Sequence, residues 1–184
     1  MNIFYLDHNV ETCAKYHVDK HVVKMILEYA QLLSTAHRMI DGEQYLDKTA
    51  NNRSIKRWAL RDSREQLLYK ATHVNHPSAV WTRGSVSNYL WLADLLKQLC
   101  SEYTYRYGKV HKCQADGLVD FLSDNCPEKM SGRVFTQPTP AMPDKYKVFA
   151  DSITSYRNYY IGDKVRMAKW SKRESPEWWK NETV

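Results

Sequence analysis

His17, His21, Lys24 and Glu28 follow one another at intervals of four, three and four residues. On a helix turning about 100° per residue this spacing stacks them in one stripe, continued by Gln31 and Thr35 and edged by Lys20 and Arg38. Imidazole, ammonium and carboxylate within reach of one ligand make a nucleophile and a general acid–base, because burial shifts their pKa values in useful directions. These four are the candidate catalytic residues. His17 and His21 also form H-x-x-x-H, which can bring two imidazoles to one metal ion, with Glu28, His8, His37, His73, His76 or His111 to complete a set. The intervening Glu of the zincin pattern is absent, so no metal and no cofactor is expected. The plainer alternative is a water-exposed edge on which Lys24 and Glu28 pair for about a few tenths of a kcal/mol.

A second group suits nucleic acid. His76 precedes Trp81 and Arg83, and Tyr105, Arg106, Lys109 and Lys112 follow in a dense aromatic and basic run. Aromatic faces stack on bases while cations grip phosphates. Cations at a helix C-terminus are the plainer account of the second run. The tail repeats the mixture in Tyr156 to Tyr160 and Lys164 to Lys172, where a solvated basic face is the simpler reading. Lys plus Arg number 27 against 21 Asp plus Glu, a formal charge of +6 that favours polyanionic partners. The 13 Tyr and 6 Trp against 4 Phe suit half-wet clefts as well as a core rim. No P-loop, G-x-G-x-x-G or G-x-S-x-G pattern occurs, so triphosphate, dinucleotide and serine-hydrolase chemistry have no support.

These residues need a scaffold, and 184 residues with 6 Gly and 6 Pro predict one mainly α domain, a helical bundle. Met1 to Leu6 is a short β-prone strand or extended arm. Glu11 to about Arg38 reads as one helix without Gly or Pro, most of its directions apolar, so its polar stripe must face a cleft, a partner or a compensating network. Asn51-Asn52 reads as the cap of a basic amphipathic helix from about Ser54 to Thr72. Pro77 opens a helix, Ser87 starts another that Gly108 stops after Tyr107, and further helices are expected at Ala115–Ser123 and Tyr146–Tyr160, with Gly162 as an interruption. Residues 126–143 hold four of the six prolines and form a long loop, and the tail from Ser171 is polar apart from Trp178-Trp179.

Cys13, Cys100, Cys113 and Cys126 show no C-x-x-C spacing, and the opening residues lack a basic, apolar leader. Free thiols in a cytoplasm are expected, and no run of about 18 apolar residues is available to span a membrane.

Met1–Asp7, Asp19–Glu28 and Glu102–Lys109 resemble a family of uncharacterised tailed-bacteriophage proteins along nearly the whole chain; the compartment implied is the infected host's cytoplasm. The short aromatic N-terminal strand leading into a long helix, Asn75-His76-Pro77 and Tyr105-Arg106-Tyr107-Gly108 resemble the pyrimidine-dimer DNA glycosylase (endonuclease V) family over about the first 110 residues. That resemblance implies an all-α fold and excision of a damaged base by an N-terminal amine, assisted by a helix glutamate. Here the bulky Asn2 keeps Met1 in place, so the amine is that of Met1. Lys24 stands near the place of the family's carboxylate, and Glu28 lies one turn on. The leading expectation is therefore a DNA-acting, base-excising enzyme, with Lys24 as a substitute amine. The alternatives are a metal-assisted hydrolase of nucleotides or other phosphorylated small molecules, and a non-catalytic module that binds a host protein.

Overall fold

Where the sequence reads one helix from Glu11 to Arg38, the chain forms two, α1 (Val10–Tyr16) and α2 (Asp19–Asp41). His17 and Val18 between them have extended backbone, with ψ of 131° and 154°. A break leaves helix carbonyls without partners. Here the Arg106 guanidinium donates to the carbonyls of Lys15 (3.0 Å) and His17 (2.9 Å). The same guanidinium holds Asp19 at 2.9 Å, and Ser171 donates to that carboxylate through both its N–H and its hydroxyl. No Gly or Pro marks the break because the groups that stabilise it come from distant parts of the chain.

The structure, a computed structural model, describes residues 1–180. After α2 come β1 (Glu43–Lys48), β2 (Ser54–Ala59), α3 (Arg64–Leu67), α4 (Pro77–Thr82), α5 (Val86–Tyr107), α6 (Lys112–Ala115), α7 (Leu118–Asp124), α8 (Ser152–Asp163) and α9 (Glu177–Lys180). The domain is mainly α, with one two-stranded antiparallel sheet among the described residues. α2 and α5 pack on each other at the centre, α1 and α7 lie against α5, and α4 lies against α2. Tyr29, Leu32 and Leu33 of α2 share one continuous core with Leu92, Leu96 and Leu99 of α5.

Residues 54–72 are not the expected helix. β1 and β2 pair from Glu43 opposite Ala59 to Lys48 opposite Ser54, and Asn52 turns the chain with φ of 57°. Asn is among the few side chains that tolerate that left-handed region, so the Asn pair makes a turn and not a helix cap. Arg38 fixes the base of this hairpin, donating to the carbonyls of Trp58, Glu65, Leu68 and Tyr69 and to the Glu65 carboxylate.

The capping signals fare better. α4 begins at Pro77, and α5 begins at Val86, one residue before the expected Ser87, capped by Ser85, whose hydroxyl accepts from Asn88 N–H at 3.1 Å. Gly108 ends α5 at φ 66°. The expected helix 115–123 is divided into α6 and α7 by Gly117, and α8 starts only at Ser152, capped by Asp151. Gly162 lies inside α8 because the Tyr146 ring occupies the space a side chain there would need. Residues 126–143 contain no helix or strand. Asn88 and Trp81 pin that loop at Thr136, and Ser85 pins it at Val134. In the tail, Trp170 and Trp179 are buried in the core.

Residues 1–6 form an extended arm rather than a strand. Ile3, Tyr5 and Leu6 are fully buried and Phe4 nearly so, each such side chain contributing about 1.5–3 kcal/mol. With no neighbouring strand, side chains satisfy the arm's backbone: Tyr29 hydroxyl accepts from Phe4 N–H, Cys13 Sγ donates to Phe4 carbonyl, and Arg157 donates to Leu6 carbonyl. The arm therefore delivers Met1 to a fixed place beside α2.

Candidate functional site

The stripe on α2 passes from interior to cleft within two turns. His21 is 5% exposed, its ring stacked on Phe4 with centroids 4.1 Å apart and its Nδ1 2.6 Å from the Tyr160 hydroxyl. Burial, reinforced by His17, Lys164 and Lys24, lowers its pKa to about 3, so the ring is neutral near pH 7. Lys24 and Glu28 follow on the open side. The Glu28 carboxylate bridges two amines: Oε1 lies 3.0 Å from Lys24 Nζ, and Oε2 lies 3.7 Å from the Met1 amino group. Glu28 and Met1 are mostly covered, at 13% and 5% side-chain exposure, whereas Lys24 is 65% exposed.

This amine–carboxylate–amine row lies on a cleft of about 300 Å³, lined also by the edge of His21 and by Asn2, Phe4, Lys20, Tyr159, Lys164 and Met167. Its charged lining is Met1 amine, Lys20, Lys24 and Lys164 against the single carboxylate of Glu28. Such a surface attracts phosphates. Lys24 and Glu28 also border a second, mostly apolar cleft of about 430 Å³, with Val23, Leu27, Gln31, Tyr69, His111, Lys112 and Cys113. The pair is thus a ridge between a cationic hollow and an apolar one. His76 is near as well: burial lowers its pKa, the Met1 amine and His73 lower it further, and Glu28 opposes them.

Several residues singled out in the sequence lie elsewhere. His17 belongs to the break and not to the α2 stripe; it is fully buried, with Nδ1 at 2.7 Å from Cys13 carbonyl and Nε2 at 3.2 Å from Tyr29 hydroxyl. Burial lowers its pKa to about 4, and both ring nitrogens are engaged. Among the described residues no group of three or more His, Cys, Asp or Glu converges on a metal position. Trp81 is 6% exposed and donates to Thr136 carbonyl, which removes it as a stacking surface. Arg106 has no side-chain exposure and bonds Glu102, Asp19 and two backbone carbonyls, so burial removes it from phosphate contact. Arg83 holds Val74 carbonyl at 2.6 Å.

Tyr105 is exposed but lies under the Arg173 guanidinium, 4.1 Å from its ring centroid, over a different hollow bordered by Glu11, Lys15 and Glu102. Lys109 and Lys112 are exposed, and only Lys112 borders a cleft shared with Lys24 and Glu28. From the sequence, Asn2, Phe4, Tyr159, Lys164 and Met167 are not singled out as site residues. The signal available for two of them is the aromatic and basic run in the tail, which α8 and the turn after it bring to the arm.

No family model, no curated protein and no solved structure matches this chain.

Proposed function

We propose that this chain is a DNA-acting enzyme that excises a base with an amine nucleophile, Met1 serving as the amine and Glu28 as its proton acceptor. The observation that carries the reading is the Glu28 carboxylate held between the Met1 and Lys24 amines in a cationic cleft. α-Amino groups as a class are less basic than lysine side chains, so a larger share is neutral and nucleophilic near pH 7. The neutral amine bonds to C1′ of the deoxyribose, and the glycosidic bond breaks with its electron pair leaving on the base, which takes up a proton. Glu28 accepts the proton lost from the attached nitrogen and returns it to the ring oxygen as the C1′–O4′ bond breaks, leaving an iminium whose hydrolysis by water frees the amine and an abasic sugar. Lys20, Lys24 and Lys164 suit the flanking phosphates, and the apolar cleft beyond the ridge suits an extruded base. The resemblance to the pyrimidine-dimer glycosylases implies an N-terminal amine and a helix glutamate, with Glu28 one turn beyond the place of the family's carboxylate.

Borohydride trapping on ultraviolet-irradiated duplexes and on duplexes with one abasic site tests this. A covalent adduct is expected, mapping to Met1 by peptide mass and lost when an added N-terminal residue displaces the amine. Glu28→Gln is expected to slow its formation by about 10²-fold or more. An adduct mapping to Lys24 transfers the nucleophile along the ridge. No adduct on either duplex overturns the reading.

A further inference from the structure

The β1–β2 hairpin separates its charges by face. Residues alternate sides along a strand, so the observed register puts Glu43, Asp47 and Arg57 on one face. Both hairpin carboxylates are therefore on that side, and both meet arginines: Glu43 with Arg61 at 2.6 Å, and Asp47 with Arg57 at 3.9 Å. The other face carries Gln44, Leu46, Lys48, Ser54, Lys56 and Trp58, without a carboxylate. Lys48, Lys56 and Arg53 in the turn are exposed and make no ion pair among the described residues, and Leu46 is 72% exposed. This face offers cations and hydrogen-bond donors, and no anion of its own, to whatever lies against it.

The outer edge of β2 adds to it. Lys56, Arg57 and Trp58 face the segment Ala71–Val74 across a groove of about 440 Å³, whose lining also lacks a carboxylate.

We infer that the acid-free face of the hairpin is a second contact for duplex DNA, gripping the phosphate backbone outside the cleft. A two-stranded ribbon is narrow enough to enter the major groove of B-form DNA, and the absence of carboxylates is the complement of a polyanion. The inference rests on the reading of the chain as DNA-acting, and extends it to residues outside the cleft.

The test measures binding of the full chain to a duplex of about 30 base pairs, roughly three turns, with one central abasic site, as a function of salt. The variants are Lys48→Ala/Arg53→Ala/Lys56→Ala and, as an equal loss of charge elsewhere, Lys97→Ala/Lys129→Ala/Lys145→Ala. The slope of log affinity against log salt is expected to fall by about 0.9 for each phosphate that the protein ceases to neutralise, thus by about 2–3 in the hairpin variant and by less than about 1 in the control. The rate of borohydride trapping at saturating DNA is expected to be unchanged. An unchanged slope, an equal fall in the control, or stronger hairpin-dependent binding to the single strand overturns the inference. Trapping without a hairpin effect sinks the hairpin's role alone. A hairpin-dependent slope without trapping upholds that role and sinks the excision chemistry.

Discussion

Arg106 and Lys24 represent two regions of the molecule that treat cations in opposite ways. Around Arg106 every charge is enclosed: the guanidinium holds Glu102 and Asp19 and two carbonyls, and Arg173 closes on the other side of Glu102. Burial pushes the Glu102 carboxyl up, but hydrogen bonds from Arg173 and Arg106 outweigh it and leave its pKa below the usual range. Around Lys24 the amines are in excess and open to a cleft. The planar fork of arginine satisfies several acceptors at once and suits an internal hub, whereas lysine offers a movable point charge on a flexible stem. A net charge of +6 therefore conceals two populations, one that holds the fold and one free to meet a partner.

The largest effect that tests this division is at the hub. Arg106→Met should cost about 3–5 kcal/mol in urea unfolding, because it leaves buried carboxylates and carbonyls short of donors. A loss below about 1 kcal/mol would remove the distinction between hub and ridge.

His17, whose carbonyl Arg106 holds, supplies the next test. Its folded pKa of about 4 lies below the ordinary histidine value of 6.5. As pH falls below 6.5 the unfolded chain takes up a proton that the folded chain refuses, so stability is present above that pH and is lost towards pH 4. The loss reaches about 3 kcal/mol for this group over the whole window. His21 and His37 shift the same way. Unfolding midpoints at pH 7, 6 and 5 should fall in that order, and less steeply in His17→Gln; a flat profile contradicts the buried, neutral imidazole.

The smallest effect is on the ridge. Lys24→Ala should alter stability by no more than about 0.5 kcal/mol, since its pair with Glu28 is solvent-exposed on the lysine side. The same substitution should reduce the salt slope of DNA binding by about 0.9. A large stability loss with no change in slope would reverse the roles given to Lys24 and Arg106.

What the sequence reveals follows from how local each cause is. Pro77 and Gly108 act on their own turns, and the start of α4 and the end of α5 are legible from them, whereas the start read at Ser87 lies one residue inside α5, which Ser85 caps. The alternation of the hairpin is legible only in hindsight, because Asn51-Asn52 serves a helix cap and a left-handed turn equally well. The break at His17-Val18 is invisible locally, being stabilised by Arg106 and Ser171. Of the stripe, His21, Lys24 and Glu28 do line one cleft, while His17 leaves it because that break rotates it out of register. The cleft's other wall, Tyr159 and Lys164, comes from a segment whose arrival no spacing near residue 24 encodes.

The buried arm has a consequence for the order in which the molecule is made. Residues 3–6 are synthesised long before part of their covering, Tyr156, Tyr160 and Arg157, the last bonded to Leu6 across 151 residues of chain. Contacts of such separation form late, because loop closure precedes any gain from them. The arm's bonds to Cys13 and Tyr29 are short-range in sequence and can form early, whereas its cover from α8 closes late. Assembly of the cleft is thus completed last: a nascent chain that stops short of α8 lacks the wall of Tyr159 and Lys164.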